Sequence, residues 1–206
     1  MLVKSPLYRV WKRGLSTRLK RNRFDRIMSK FHFPPDTTVR VLEIGCADGR
    51  DMIQFLRESP RFEVHGLDLK EQTLPPGVSF HLADASALPF ADGAFDLVIS
   101  VGLLEHIEPM EKLSAVIKEI RRVGRAYAAV VPSVSTFLEP HALKPRWPLR
   151  FHRKLVHKHS AGEILHLNYF TDHTWTKFEG FAGAEAERFF YLFPFVRNLL
   201  VYGNHE

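Results

Sequence analysis

Residues 39–50 read Val-Arg-Val-Leu-Glu-Ile-Gly-Cys-Ala-Asp-Gly-Arg, and their texture decides the fold. An apolar run ends in a turn holding Gly45 and Gly49. A helical face of Met52, Ile53, Phe55 and Leu56 follows, and Ser59-Pro60 stops it. Strand, glycine turn and helix form the opening unit of a parallel α/β sheet. Outward from this unit, apolar runs at 62–69, 78–83, 95–101 and 127–131 read as further buried strands. Met110, Leu113, Val116, Ile117 and Ile120 mark a second crossover helix that ends near Gly124. The eight residues 70–77, with Pro75-Pro76, are too few for a crossover helix, so a turn is expected there. A helix across 171–181 and strands at 184–192 and 198–203, paired as a hairpin around Pro194, complete the pattern. The expected fold is a doubly wound, mostly parallel seven-stranded α/β sheet.

Both ends of this core differ from it in charge. Residues 1–33 carry ten Lys/Arg against the single acid Asp25, and 34–143 carry ten against sixteen acids. Residues 144–159 then carry six basic residues and no acid. An acidic body between two basic segments attracts anions at its ends, or simply presents solvated helix faces there. Leu7, Tyr8, Trp11, Leu15 and Leu19 recur at helical spacing among the early basic residues, giving an amphipathic helix. From Pro132 to about Leu167 regularity dissolves into four prolines and five histidines, as in an insertion after the fifth strand. One domain is expected, organised as a basic helical segment (1–34), a core (35–132), a lid insertion (133–168) and a closing helix with a strand pair (169–206). No apolar run reaches the ~18 residues of a membrane span, and Lys4, Arg9, Lys12 and Arg13 interrupt any signal-like stretch. A cytoplasmic location is expected. A single cysteine, Cys46, excludes an internal disulfide and multi-cysteine metal sites. The histidines lack ligand-like spacing, so no metal is expected.

The glycine turn suits a ligand without phosphates better than a dinucleotide or a nucleoside triphosphate. A dinucleotide fingerprint would need glycines at 45, 47 and 50, but Ala47 and Arg50 stand at two of these. A P-loop Gly-Lys-Ser/Thr is absent too. Asp68, 23 residues after Gly45 at a strand end, suits two ribose hydroxyls. Asp84 and the Ala85 amide, at the next strand end, offer the acceptor and donor that an adenine edge requires. Taken singly, each acid has a plainer role as a turn cap and the glycines one as a tight connection; the glycine turn, Asp68 and Asp84 at three successive strand ends together point to a site.

VLEIGCADGR, GLDL, DASALPFADGAFDLVIS and VGLLEHI, in this order over about residues 38–132, resemble the motifs of class I S-adenosylmethionine-dependent methyltransferases. The similarity is closest to the small-molecule group with Leu-Pro-Phe and Leu-Glu-His signatures. The resemblance implies S-adenosylmethionine as cofactor, with Glu43, Gly45 and Gly49 at its methionine end, Asp68 at the ribose, and Asp84 with Ala85 at the adenine. Ser100, Val101 and Gly102 would lie beneath the sulfonium, and Cys46 and Leu69 are counted in the same cofactor surface. Cys46 itself reads as a small packing residue. Ala47 departs from the family's middle glycine. His106 and His141 are candidate bases, Glu139 and His141 candidate acceptor contacts, although a plain helix-start role suits His106 better.

The expected function is methyl transfer to a hydroxyl of a small or glycan-like molecule. No Asn/Asp-Pro-Pro-Tyr follows the fourth strand, where Ser100-Val101-Gly102-Leu103 stands, and no Pro-Cys nucleophile is present. The alternatives are an RNA methyltransferase using the basic segments and a methyltransferase-like binding module without turnover. Nucleic acid is the less favoured partner. The Trp11 helix could also rest on an anionic membrane.

Overall fold

The structure, a computed structural model, describes residues 6–133, 170–192 and 196–204. Helix α1 (Pro6–Met28) leads into strand β1 (Val39–Ile44), the short helix α2 (Ile53–Leu56), β2 (Phe62–Asp68), β3 (Val78–Leu82) and β4 (Leu97–Val101). A 3-10 turn (Leu104–His106), helix α3 (Met110–Val123) and β5 (Ala126–Pro132) follow. The chain closes with α4 (Asp172–Trp175), a 3-10 turn (Glu179–Phe181), β6 (Glu185–Leu192) and β7 (Val196–Asn204).

All seven strands form one sheet in the order β3-β2-β1-β4-β5-β7-β6. The first five run parallel, while β7 lies antiparallel to both β5 and β6. Every residue of β5 is buried, as its unbroken apolar run requires of a central strand covered on both faces. The order reverses between β1 and β4, so a crevice opens at the carboxyl ends of these strands. No helix occupies 69–77, and β2 and β3 pair directly, as the short proline-bearing link requires.

Helix α3 begins after Pro109 and stops at Gly124. Its buried stripe of Leu113, Val116, Ile117, Ile120 and Val123 follows the helical period. Each contributes roughly 1.5–3 kcal/mol by burial. This stripe packs one face of the sheet with Trp175 and Phe181. The other face receives Phe24 and Ile27 of α1 together with Met52, Ile53, Phe55 and Leu56.

The expected continuous helix over 171–181 is instead two single turns. Thr171 caps α4 by accepting the Thr174 N–H, and the chain is extended at Phe178. Gly180 then lies so close to α3 that an added Cβ would stand 2.6 Å from the Ile117 carbonyl oxygen. The basic face of α1 is also corrected: it is docked rather than simply solvated. Lys20 donates to the Arg50 carbonyl at 2.8 Å, and Arg21 pairs with Glu58, Arg23 with Asp51, and Arg26 and Lys30 with Glu187. The excess charge of the N-terminal segment is thus partly neutralised by the acidic body. The insertion from 134, with Glu139, His141 and the basic stretch 144–159, lies outside the described residues. No helix among the described residues is long and apolar enough to cross a membrane.

Apolar burial and surface ion pairs separate energetically on α1. Ile27→Ala is expected to cost about 2–5 kcal/mol. Arg21→Ala, which removes an exposed pair, is expected to cost no more than about 1 kcal/mol. Urea unfolding of both variants measures the contrast.

Candidate functional site

The site grows from the end of β1. The N–H groups of Gly45 and Cys46 both donate to the Leu67 carbonyl, at 2.8 and 3.1 Å, tying the turn to β2. The chain then passes through the left-handed region three times in five residues, at Gly45 (φ 72°), Ala47 (φ 45°) and Gly49 (φ 71°). Glycine adopts this conformation freely, whereas alanine holds it at a cost of roughly 1–2 kcal/mol. The departure noted at Ala47 is therefore a strained residue kept in place by its neighbours. One of them is Asp68, whose Oδ2 accepts the Ala47 N–H at 3.0 Å while Oδ1 accepts the Lys70 N–H at 3.1 Å. Each carboxylate oxygen keeps a further lone pair for a hydroxyl donor.

Glu43, expected from the resemblance at the methionine end, is buried against the chain that follows the turn. Its side chain is 1% exposed, and the carboxylate accepts the N–H groups of Met52 (3.4 Å) and Ile53 (3.0 Å). It anchors the chain that leaves the glycine turn, behind the crevice surface. Burial, aided by the nearby Asp51, pushes its pKa up to about 8, against the pull of the two amides and Arg23. Cys46 is likewise buried, and its Sγ lies 2.9 Å from where a Cβ on Gly66 would stand. Burial pushes this thiol up to about 12, so it is packing and no nucleophile.

At the end of β3, Asp84 is highly organised. Oδ1 accepts the Ser86 N–H at 2.9 Å and its hydroxyl at 2.8 Å, and Oδ2 meets the Lys112 ammonium at 2.7 Å. Lys112, then Ser86, holds this carboxyl at about 2. The neighbouring Ala85 N–H has no hydrogen-bond partner among the described residues. Leu69 stands 62% exposed just past Asp68. At the end of β4, Ser100 is buried with its hydroxyl unpartnered among the described residues, and Gly102 turns at φ 69°. His106 closes the 3-10 turn behind it, its N–H donating to the Leu103 carbonyl at 2.9 Å.

The four strand ends therefore bring Gly45, Asp68, Leu69, Asp84, Ala85, Ser100, Val101, Gly102 and His106 to one edge of the sheet, in the order β3-β2-β1-β4. Three strand spacings give this edge a span of roughly 14 Å. Glu139 and His141 lie outside the described residues, so their place toward this edge is not part of the described site. Sequence reasoning missed Leu103, whose side chain lies 3.1 Å from a Cβ built on Gly45, and undervalued Glu105, which is 1% exposed. Their signal was the apolar pair Leu103-Leu104 flanking an acid, which reads equally well as an ordinary helix start. No group of three or more metal-ligating side chains occurs among the described residues. A cavity of about 740 Å³ lies at the opposite end of the sheet, lined by Asp92, Lys118, Arg122 and Glu179. Four of its charged groups pair with one another, Lys118 with Glu179 and Arg122 with Asp92, while Arg125, also in the lining, pairs with Asp96.

Glu43 makes the stability of this site depend on pH. Unfolded, it titrates near 4.5; folded, near 8. The folded state binds the extra proton between these values, so this group's contribution is full below about pH 4.5 and is lost as pH rises through 8. Each unit of displacement carries about 1.4 kcal/mol. Glu43→Gln is expected to flatten this part of the stability–pH curve, measured by denaturant titration between pH 5 and 9.

Residues 41–126 match the family model described as a methyltransferase domain. Norajmaline N-methyltransferase of Rauvolfia serpentina is 30% identical over 118 residues, 52% of this chain and 39% of that enzyme. A probable tRNA methyltransferase 9B of Mus musculus is 32% identical over 87 residues, 40% of this chain and 19% of that protein. The chain thus spans about two fifths or less of these relatives. Among solved structures, magnesium protoporphyrin IX methyltransferase of Synechocystis, with S-adenosylhomocysteine bound, superposes with a TM-score of 0.63 at 14% identity, covering 94% of this chain and 85% of that one. Residues 41–126 thus match the methyltransferase-domain model, and the seven-stranded sheet that contains them has the fold of the Synechocystis enzyme.

Proposed function

We propose that this chain transfers the methyl group of S-adenosylmethionine to a small-molecule acceptor. The observation that carries this reading is the row of functional groups along one sheet edge: left-handed turns at 45, 47 and 49, then Asp68, then Asp84 beside the Ala85 amide, which is unpartnered among the described residues. These fit the cofactor group by group. Asp68 retains acceptor capacity for a ribose diol, Asp84 is a fixed anion for an exocyclic amine, and the Ala85 N–H suits a ring nitrogen. Gly45 and Gly49 bring bare backbone to the edge beside Gly102 and Ser100. S-adenosylmethionine supplies an activated methyl with a neutral thioether as leaving group. The protein's task is then alignment of the acceptor, which positioning residues perform without covalent chemistry.

An acceptor hydroxyl would pass its proton to a base as it attacks. His106, beside the end of β4, is our candidate for that base or for an acceptor contact, and Glu139 and His141 are further candidates from the sequence. Oxygen is the acceptor atom expected from the sequence, whereas the norajmaline enzyme's name specifies nitrogen, so both belong in one assay. Methyl transfer from labelled cofactor to fractionated cell extract, sorted into metabolites, glycans, lipids and RNA, identifies the acceptor class.

The relation to a tRNA methyltransferase supports a second reading, an RNA acceptor. Against it, Arg21, Arg23 and Arg26 of the basic helix, and Lys30 just after it, are already paired with acids of the same chain. Label recovered in the RNA fraction alone would favour this second reading.

Asp68→Ala is expected to remove charge-assisted bonds worth about 1.5–3 kcal/mol, a roughly 10- to 100-fold loss of affinity for S-adenosylhomocysteine. Calorimetry on the folded variant decides it, and unchanged affinity sinks the ribose assignment.

A further inference from the structure

The segment 84–92 leaves the end of β3 without joining any regular ladder, and Pro89 within it has no N–H to offer. Its backbone polar groups need partners from elsewhere. Helix α3 supplies them. Glu119 Oε2 accepts the Leu88 N–H at 2.7 Å. The Arg122 guanidinium donates through Nη2 to the Leu88 carbonyl (3.0 Å) and through Nη1 to the Phe90 carbonyl (2.7 Å) and Asp92 (2.8 Å). Nε and Nη2 of the same guanidinium each meet a Glu119 oxygen at 2.7 Å. Lys112 adds its contact to Asp84 from the same helix. Residues 112, 119 and 122 fall on one helical face by their spacing of seven and three.

The apolar side of the segment is pinned as well. Leu88 is buried in the core, and the Phe90 ring stands edge-on to Phe95 and His81, both at 4.9 Å between centroids. Arg122 therefore stands where one planar fork satisfies two carbonyls and two carboxylates at once. A lysine cannot reproduce that geometry.

Given an adenosyl cofactor at Asp84, as proposed above, we propose that Arg122, oriented by Glu119, is a positioning residue for the purine end of the cofactor. It fixes the segment so that the Asp84 acceptor and the Ala85 donor keep one spacing, the pair that an adenine edge matches. Hypoxanthine inverts that edge, presenting a carbonyl and a ring N–H where adenine has an amine and a ring nitrogen. A rigid corner discriminates between the two, and a loosened corner does not.

The test is calorimetry on the full chain with two probes, S-adenosylhomocysteine and its hypoxanthine analogue. Binding of S-adenosylhomocysteine to the wild type comes first, because its failure overturns the cofactor reading and not the role of Arg122. Arg122→Met is expected to weaken S-adenosylhomocysteine about tenfold while reducing the ratio between the two dissociation constants. Arg122→Lys is expected to resemble Arg122→Met, since charge without the fork does not hold two carbonyls. Asp92→Asn, which touches only the outer ion pair, should leave both affinities unchanged. A merely structural role would lower both affinities in proportion and leave the ratio intact. An unchanged ratio in a folded Arg122→Met, or full rescue by lysine, overturns the proposal. If Arg122→Met does not fold, the ratio in Arg122→Lys and Glu119→Gln decides by the same criterion.

Discussion

The carboxylate of Asp68 holds the amide of Ala47, a residue in a backbone region that alanine enters at a cost. Around that bond the site is assembled. It ties the turn after β1 to the end of β2, while the amides of Gly45 and Cys46 repeat the tie through the Leu67 carbonyl. Just beyond the turn, the buried Glu43 takes the amides of Met52 and Ile53, so the entering and leaving chain are both fixed. The result is a turn tied at both ends by hydrogen bonds from neighbouring elements.

Two helices extend these ties in opposite directions. On one face α1 grips the chain following the turn through Lys20, Arg21 and Arg23, and reaches the β6–β7 hairpin through Arg26, joined by Lys30 just past its end. On the other face α3 grips the 84–92 segment. Loops at strand ends ordinarily carry function because a scaffold holds them. Here the holding is done by charged side chains on long helices, and apolar burial supplies most of the stability.

The sheet was legible because parallel strands buried on both faces leave near-continuous apolar runs, and because glycines and prolines punctuate them. Five strand cores, the missing crossover at 70–77 and the closing hairpin all read from that texture. The two turns at 171–181 were not legible as such, since what breaks the helix is the close approach of Gly180 to the Ile117 carbonyl, a tertiary fact. In the site, Asp68 and Asp84 were legible from their place at strand ends. The place of Glu43 in its motif points to the methionine end of the cofactor, and its burial against the Met52 and Ile53 amides is a tertiary fact that the motif does not carry. Nothing local singles out Arg23, Glu119 and Arg122, for the partners they hold across the fold are 28 to 34 residues away in sequence.

Hydrogen–deuterium exchange of the intact chain, with and without S-adenosylhomocysteine, tests the central claim that the edge formed by β3, β2, β1 and β4 is the binding site. Protection is expected at the amides of 45–49, 68–70 and 84–86 together, at three separate places in sequence and one in space. Protection confined to 92–93 and 118–125, beside the cavity at the opposite end of the sheet, or no protection at any of these amides, would contradict the account.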